Sequence, residues 1–110
     1  MGDKPSSDVV QGTLDMLILK TLALEPMHGY GIAVRIEQMS RNVFRVNAGS
    51  LFVAFKRLQR EGLIKSEWQA SENNRQAKYY WLTARGKKQL GREAESWQRQ
   101  AAAIAEILKA

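Results

Sequence analysis

Three cationic side chains lie close together in the segment GSLFVAFKRLQREGLI, at a spacing suited to contact with a polyanion. They are Lys56, Arg57 and Arg60, and no acidic residue interrupts them. On a helix of about 3.6 residues per turn they share one side with Ser50 and Val53. Nucleic acid is the partner that such an uncompensated group favours.

The same segment has an apolar side that requires burial. Leu51, Phe55 and Leu58 recur at steps of four and three residues, the spacing of one helical face. The pattern starts near Asn47 and ends at Gly62, a residue type that commonly closes helices in the left-handed conformation. We therefore predict a helix with its cations outward. The alternative is that the cations form an ordinary solvated helix face.

Two β-like segments follow this helix. Ile64–Trp68 and Lys78–Leu82 are rich in β-branched and aromatic residues, and polar turn formers separate them over 69–77. A helix followed by a basic hairpin is typical of a winged helix, in which the helix enters the major groove and the hairpin contacts phosphates or the minor groove. The residues predicted to contact double-stranded DNA are Asn47, Ser50, Val53, Lys56, Arg57, Arg60, Arg75 and Lys78.

The positive charge of the chain is concentrated around these elements. The 110 residues suit one domain, and their formal net charge is +6. Residues 41–65 contain six Lys or Arg against one acidic residue, and residues 75–92 contain six against none. The rest of the chain has an acidic excess. A localised positive field is what a docking surface requires.

Several classes of protein are excluded by composition. The chain has no cysteine and one histidine, so disulfides and the usual metal sites are not expected, and no cofactor is predicted. His28 is expected to make a hydrogen bond at a helix start rather than to catalyse a reaction. Because no nucleophile elbow, paired carboxylates or phosphate loop occurs, we predict that the protein is not an enzyme.

Nothing in the chain suggests a membrane or secreted protein. No apolar run in the chain approaches the roughly 20 residues that span a bilayer. Residues 1–10 are too polar for a signal peptide, and we predict a disordered arm there. The sequence thus predicts a soluble, cytoplasmic protein.

Three further helices are predicted. The first runs from about Val10 to Leu24 and is apolar almost all round, which requires burial on more than one side. The second reaches about Ser40, and residues 41–46 connect it to the cationic helix. The last follows Thr83 and ends near Lys109 with a heptad seam; at roughly 40 Å it exceeds what the domain can cover.

The excess length of the last helix predicts a homodimer. The residues assigned to the dimer interface are Leu14, Ile18, Leu90, Ala94, Trp97, Ala101, Ile104 and Leu108. Trp97 lies mid-seam, where it either packs in the interface or holds two helices apart so that a flat aromatic effector can stack between them. Trp68 and Trp81, on the hairpin, are expected to pack.

Three stretches of the sequence together resemble the PadR family of bacterial transcriptional regulators. They are GTLDMLILKTLALEPMHGYGIAVRIE, VNAGSLFVAFKRLQREGLI and KYYWLTARGKKQL. The resemblance implies a winged helix, a C-terminal dimerisation helix, palindromic operator binding and repression, in the small branch of the family. By position, the DNA-reading helix corresponds to Asn47–Glu61 and the wing to Ile64–Leu82. Phe52-Val53 replaces a frequent Tyr-Pro, and Trp97 matches a tryptophan that lines an aromatic-ligand cavity in some relatives.

We therefore predict a mainly α-helical fold with a small β-hairpin. Residues 1–10 form the arm, 11–82 the winged helix-turn-helix domain, and 83–110 the dimerisation helix. The predicted function is a homodimeric repressor, relieved by a small aromatic effector. One alternative is a winged-helix protein-interaction module without specific DNA binding. Another is a DNA-binding protein that responds to no ligand; RNA binding is less supported because no solvent-facing aromatic sheet is expected.

Overall fold

A computed structural model of the chain describes residues 7–8, 12–70, 73 and 75–110. In chain order the elements are β1 (Ser7–Asp8), α1 (Leu14–Leu24), β2 (Met27–His28), α2 (Gly29–Met39), β3 (Phe44–Arg45), α3 (Ala48–Arg60), β4 (Ile64–Ala70), β5 (Gln76–Leu82) and α4 (Ala84–Lys109). The described residues thus form a mainly helical fold with a small antiparallel hairpin and a long last helix. This architecture confirms the predicted fold class.

The hairpin of β4 and β5 is the wing, and it is joined to the helical body by a third strand. Its register runs from Ile64 opposite Leu82 to Ala70 opposite Gln76, so each strand is two residues longer than predicted. On the other edge of β5, β2 pairs antiparallel, with Met27 opposite Tyr80. This short strand was not predicted, and it fixes the wing to the start of α2.

The N-terminal segment differs from its prediction. Ser7–Asp8 pairs in parallel with Phe44–Arg45, so the expectation of a disordered arm is wrong for these two residues. The other residues of the predicted arm lie outside the described part. Helix α1 begins at Leu14 rather than near Val10, because Gly12 has a φ of +91°, which is incompatible with a continuing helix.

The core lies between the first three helices and the inner face of the wing. Ile18 of α1, Ile32 of α2 and Phe55 of α3 are each no more than 1% exposed. The Phe55 ring packs on Tyr80 of β5 at 4.3 Å between centroids, and burial raises the pKa of Tyr80 above its usual value. Gly29 permits this packing, since an added Cβ would lie 3.0 Å from the Phe55 ring.

The connection between α2 and α3 is held by several hydrogen bonds. Arg41 and Asn42 adopt positive φ angles of 54° and 64°, and the Asn42 amide donates back to the Glu37 carbonyl at 2.8 Å. The Glu37 carboxylate also accepts from the Val46 amide at 3.1 Å. These bonds set the direction in which the chain enters α3.

Helix α4 starts against the junction between α3 and the wing. Thr83 accepts a hydrogen bond from the Gly86 amide at 3.0 Å, and its hydroxyl lies 2.7 Å from the Gly62 carbonyl. Gly86 allows this close approach, because a Cβ there would lie 2.1 Å from the Leu63 carbonyl oxygen. Gly62 itself has the predicted left-handed φ, +76°. No helix within the described ranges is long and apolar enough to cross a membrane.

Candidate nucleic-acid interface

Helix α3 separates a buried apolar side from an exposed cationic one. Leu51, Phe55 and Leu58 are at most 2% exposed, which confirms the predicted apolar stripe. Lys56 and Arg60 are exposed on the opposite side, and neither has a side-chain partner among the described residues. Their charges are therefore available to an external anion. Val53, one turn before Lys56 on the same side of the helix, is 60% exposed and adds an apolar contact point.

Arg57 does not belong to this outward group, which corrects its assignment with Lys56 and Arg60. Its Nε donates to the Asp15 carboxylate of α1 at 3.2 Å, and a second nitrogen of the guanidinium donates to the other carboxylate oxygen. The hydrogen bond to Asp15 raises the pKa of Arg57 further above its ordinary value. Arg57 thus connects α1 and α3. Its partner lies 42 residues away in sequence, so local spacing gave no sign of it.

The start of α3 carries Asn47 and Ser50, both exposed. The Asn47 side-chain oxygen accepts from the Ser50 amide at 3.1 Å, which caps the helix. This role was not foreseen for Asn47. It leaves the amide nitrogen of Asn47 and the hydroxyl of Ser50 on the surface beside the positive end of the helix dipole, where anions are favoured.

The wing carries the remaining two predicted contacts. Arg75 is exposed near the tip, and Lys78 is half-buried. The Lys78 ammonium lies over the ring of Trp68, 5.5 Å from its centroid. Trp68 is 63% exposed, so the expectation that it is a packing residue is wrong. Its strand neighbour Ile64, four residues earlier on β4, is only 1% exposed.

Two exposed aromatic residues, one on α2 and one on α3, were not among the predicted contacts. Tyr30, on the first turn of α2, is 80% exposed, and Phe52 of α3 is 55% exposed.

The His28 side chain, just before α2, makes an edge contact with Tyr79 at 4.4 Å, and its Nδ1 has no hydrogen-bond partner in the described structure. The hydrogen bond expected of His28 at the helix start is therefore absent there.

The predicted dimer residues divide between the protomer core and its surface. Ile18 is 0% exposed within its own chain, so it has no surface for a second subunit and its assignment is corrected. Leu14 and Leu90 are partly buried against the same core. Trp97, Ile104 and Leu108 are 39%, 50% and 78% exposed on α4, and Ala94 and Ala101 of the same helix are half-buried. Ile107, which was missed, is 71% exposed.

A hollow lies beside Trp97, between the start of α1 and the middle of α4. Its volume is about 290 Å³, and its lining includes Asp15, Met16, Glu93 and Trp97. One aromatic ring, one thioether and two carboxylates face this space. The Asp15 carboxylate that lines the hollow is also the partner of Arg57.

Comparison with known proteins identifies consistent relatives. The model of the transcriptional regulator PadR-like family matches residues 18–92. A transcriptional regulator from Clostridium thermocellum is 30% identical, with a TM-score of 0.81, covering 91% of this chain and 97% of that one. A PadR-like transcriptional regulator from Bacillus cereus is 27% identical, with a TM-score of 0.78 and coverage of 92% and 96%. Protein X of Lysinibacillus sphaericus is 29% identical over 91 residues, 83% of this chain and 84% of that protein.

Proposed function

The chain belongs to the PadR-like family of transcriptional regulators, and from this premise we propose that it is a homodimeric repressor of a palindromic operator. Membership confirms the resemblance seen in the sequence, and it makes the protein a DNA-binding regulator rather than an enzyme. The proposal concerns how this chain binds DNA, whether it acts as a dimer, and what releases it. Its site of action would be the cytoplasm, where bacterial DNA lies.

The outward side of α3 is the observation that carries the proposal. Lys56 and Arg60 are exposed and unpaired within the described structure, while the opposite side of the helix is fully buried. An α-helix fits the major groove, where Arg or Lys can donate to guanine edges and an apolar side chain such as Val53 can meet a thymine methyl group. Asn47 and Ser50 would contact phosphates or bases at the helix start. Arg75 and Lys78 would contact the backbone from the wing.

A second copy of the chain is the proposed cover for the end of α4. Residues 102–110 are all exposed, and they include Ile104, Ile107 and Leu108. A contiguous apolar helix face of this kind is typical of a protein interface. Twofold pairing through α4 would present two copies of α3 to successive major grooves, about 34 Å apart. Such an arrangement would match a palindromic operator.

Release from the operator is proposed to occur through the hollow beside Trp97. A ligand shifts a dimer between two geometries only if it binds one of them better. A planar aromatic ring could stack on Trp97, and Glu93 favours a ligand with positive charge, whereas the Asp15 carboxylate is already paired with Arg57. Titration of the protein with planar aromatic cations should quench tryptophan fluorescence. Quenching that is unchanged in Trp97→Phe would contradict this part of the proposal.

A gel shift on the DNA upstream of its own coding sequence tests the main proposal, since small regulators often control their own promoter. We expect a discrete complex whose affinity falls steeply as salt rises, because bound phosphates release counterions. Scrambling one half of the palindrome should abolish the discrete complex. Absence of affinity for any duplex at low salt would instead favour a protein-interaction module.

A further inference from the structure

Trp68 is exposed even though it lies on the face of the wing that packs against the core. Side chains of β4 alternate between the two faces, so Ile64 and Trp68 lie on the same one, and Tyr80 joins them from β5 through the strand register. Ile64 and Tyr80 are 1% and 4% exposed, whereas Trp68 is 63% exposed. The wing therefore extends beyond the helical body, and its inner face is exposed to solvent at Trp68.

Lys78 lies directly opposite Trp68 in the hairpin register. Its ammonium group is 5.5 Å from the Trp68 ring centroid, within the range of a cation–π interaction. The ring thus restricts where the Lys78 charge points. Glu67, the nearest described acidic residue on the strand, faces the other side of the hairpin and accepts from Gln69 at 2.7 Å. The inner face of the wing is consequently apolar and cationic.

The same inner face lies alongside α3. Helix α3 ends at the junction from which β4 begins, and the Phe55–Tyr80 ring contact joins helix and sheet farther from that junction. On the side away from that junction, Phe52 lies one turn before Phe55 on α3 and is 55% exposed. Lys78 likewise lies two residues before Tyr80 on β5. The helix and the wing are therefore both exposed to solvent on the side of the Phe55–Tyr80 contact that lies away from the junction.

We propose that Trp68 and Lys78 act together as the wing's contact with the DNA backbone, which rests on the proposed DNA-binding function. The indole presents a broad apolar surface to a deoxyribose and one N–H donor to a phosphate. Lys78, oriented by the ring, pairs with a neighbouring phosphate. Trp68 is therefore both a contact residue and the residue that positions Lys78. The positive charge of the inner face favours the DNA backbone over a basic protein surface, because no described acidic side chain lies on that face.

Fluorescence anisotropy with a labelled upstream duplex tests the proposal. Trp68→Ala should weaken binding about tenfold, and Trp68→Phe, which keeps a ring, about two- to threefold, as expected for loss or weakening of a partly desolvated cation–π group. Lys78→Met should make the log–log salt slope shallower by about 0.9, the value for one phosphate contact. Gln69→Ala is the matched control, since Gln69 is an exposed neighbour on the opposite face, and its affinity should equal that of the wild type.

The proposed Trp68–Lys78 pair also predicts that the effects of the two substitutions on DNA affinity are coupled. Because Trp68 positions Lys78, the double variant Trp68→Ala with Lys78→Met should lose less affinity than the product of the two single losses. If the wild type binds and Trp68→Ala binds equally well, this inference is overturned while the DNA-binding proposal survives. If the wild type has no duplex affinity at any salt concentration, both fail. Thermal unfolding of each variant, matched to wild type, excludes loss of fold as the cause.

Discussion

Helix α3 and the last three turns of α4 are both amphipathic, but they differ in which side the protomer covers. In α3 the apolar residues Leu51, Phe55 and Leu58 are buried by the chain itself, and the exposed side is cationic. At the end of α4 the apolar residues Ile104 and Leu108 are 50% and 78% exposed. A helix whose apolar side is already buried offers its polar side to a partner. A helix with an uncovered apolar side requires an apolar partner.

This difference favours a different kind of association for each of the two helices. Cations on a rigid, buried support suit a phosphate backbone, whose binding is long-range and sensitive to salt. An apolar stripe suits a second protein chain, whose binding is driven by burial and is much less sensitive to salt. The following predictions test whether the two roles are separable.

The largest effect is expected at the end of α4. Ile104→Glu combined with Leu108→Glu would place unpaired carboxylates in the proposed dimer interface, and their desolvation opposes association. Sedimentation should show a protomer of half the wild-type mass. Operator affinity should fall roughly 100-fold or more, since the two half-sites are no longer bound as a unit.

Ala102→Glu is the control for this pair, because Ala102 is exposed on the opposite side of α4. It should leave the mass and the operator affinity unchanged. A doubly substituted protein that remains dimeric would show that α4 associates by another surface, or that the dimer uses another element.

The outward cations of α3 should have the next largest effect. Lys56→Ala and Arg60→Ala should each weaken specific binding by about 1–3 kcal/mol if the side chain reaches a base edge. The dimer mass should not change. Lys20→Ala, which removes an exposed cation from α1, should bind operator as the wild type does. If Lys56→Ala and Arg60→Ala bind operator as tightly as Lys20→Ala and the wild type do, then α3 is not part of the DNA interface.

Breaking the pair between Asp15 and Arg57 should affect stability more than DNA contact. The side chains are 23% and 39% exposed, so solvent screens the interaction in part, and we expect Asp15→Asn to cost about 1 kcal/mol in urea unfolding. Arg57→Met should cost a similar amount. In a double-mutant cycle the two losses should be less than additive. Full additivity would mean that the pair does not stabilise the junction of α1 and α3.

The smallest effect is expected from substitutions of Asn47. They distinguish its capping of α3, which affects stability, from its proposed contact with DNA, which affects operator binding. Asn47→Ala should lower the unfolding free energy by about 0.5–1 kcal/mol through loss of the hydrogen bond to the Ser50 amide. Asn47→Asp keeps a capping oxygen and should retain stability, yet its negative charge should weaken operator binding. If Asn47→Asp binds DNA as tightly as the wild type, the start of α3 does not approach phosphate.

Regular periodicity made much of this fold predictable. The apolar steps of α3 and α4 and the alternation of the wing strands each extend over several residues, so their inner and outer sides followed from the sequence. The two-residue strands β1, β2 and β3 are too short to show a period. They depend on backbone pairing with distant segments, as between Met27 and Tyr80.

Individual site residues were less predictable wherever a distant partner decides their direction. Lys56 and Arg57 are adjacent in sequence, yet Asp15 draws Arg57 to the α1 side. Trp68 and Ile64 share a face, yet only Ile64 lies under the body of the protein. Ile18 and Leu14 are both apolar residues of α1, yet only Ile18 is completely buried. Spacing identifies which residues share a side, whereas tertiary contacts decide what covers that side.

The salt dependence of operator binding tests the role of the α3 cations most directly. Anisotropy titrations of the wild type and of the Lys56→Ala, Arg60→Ala double variant across a salt series should give a shallower log–log slope for the variant, by about 0.9 for each side chain that neutralises a phosphate. Lower affinity together with a shallower slope is the predicted result. Identical affinity and identical slope for the two proteins would contradict it.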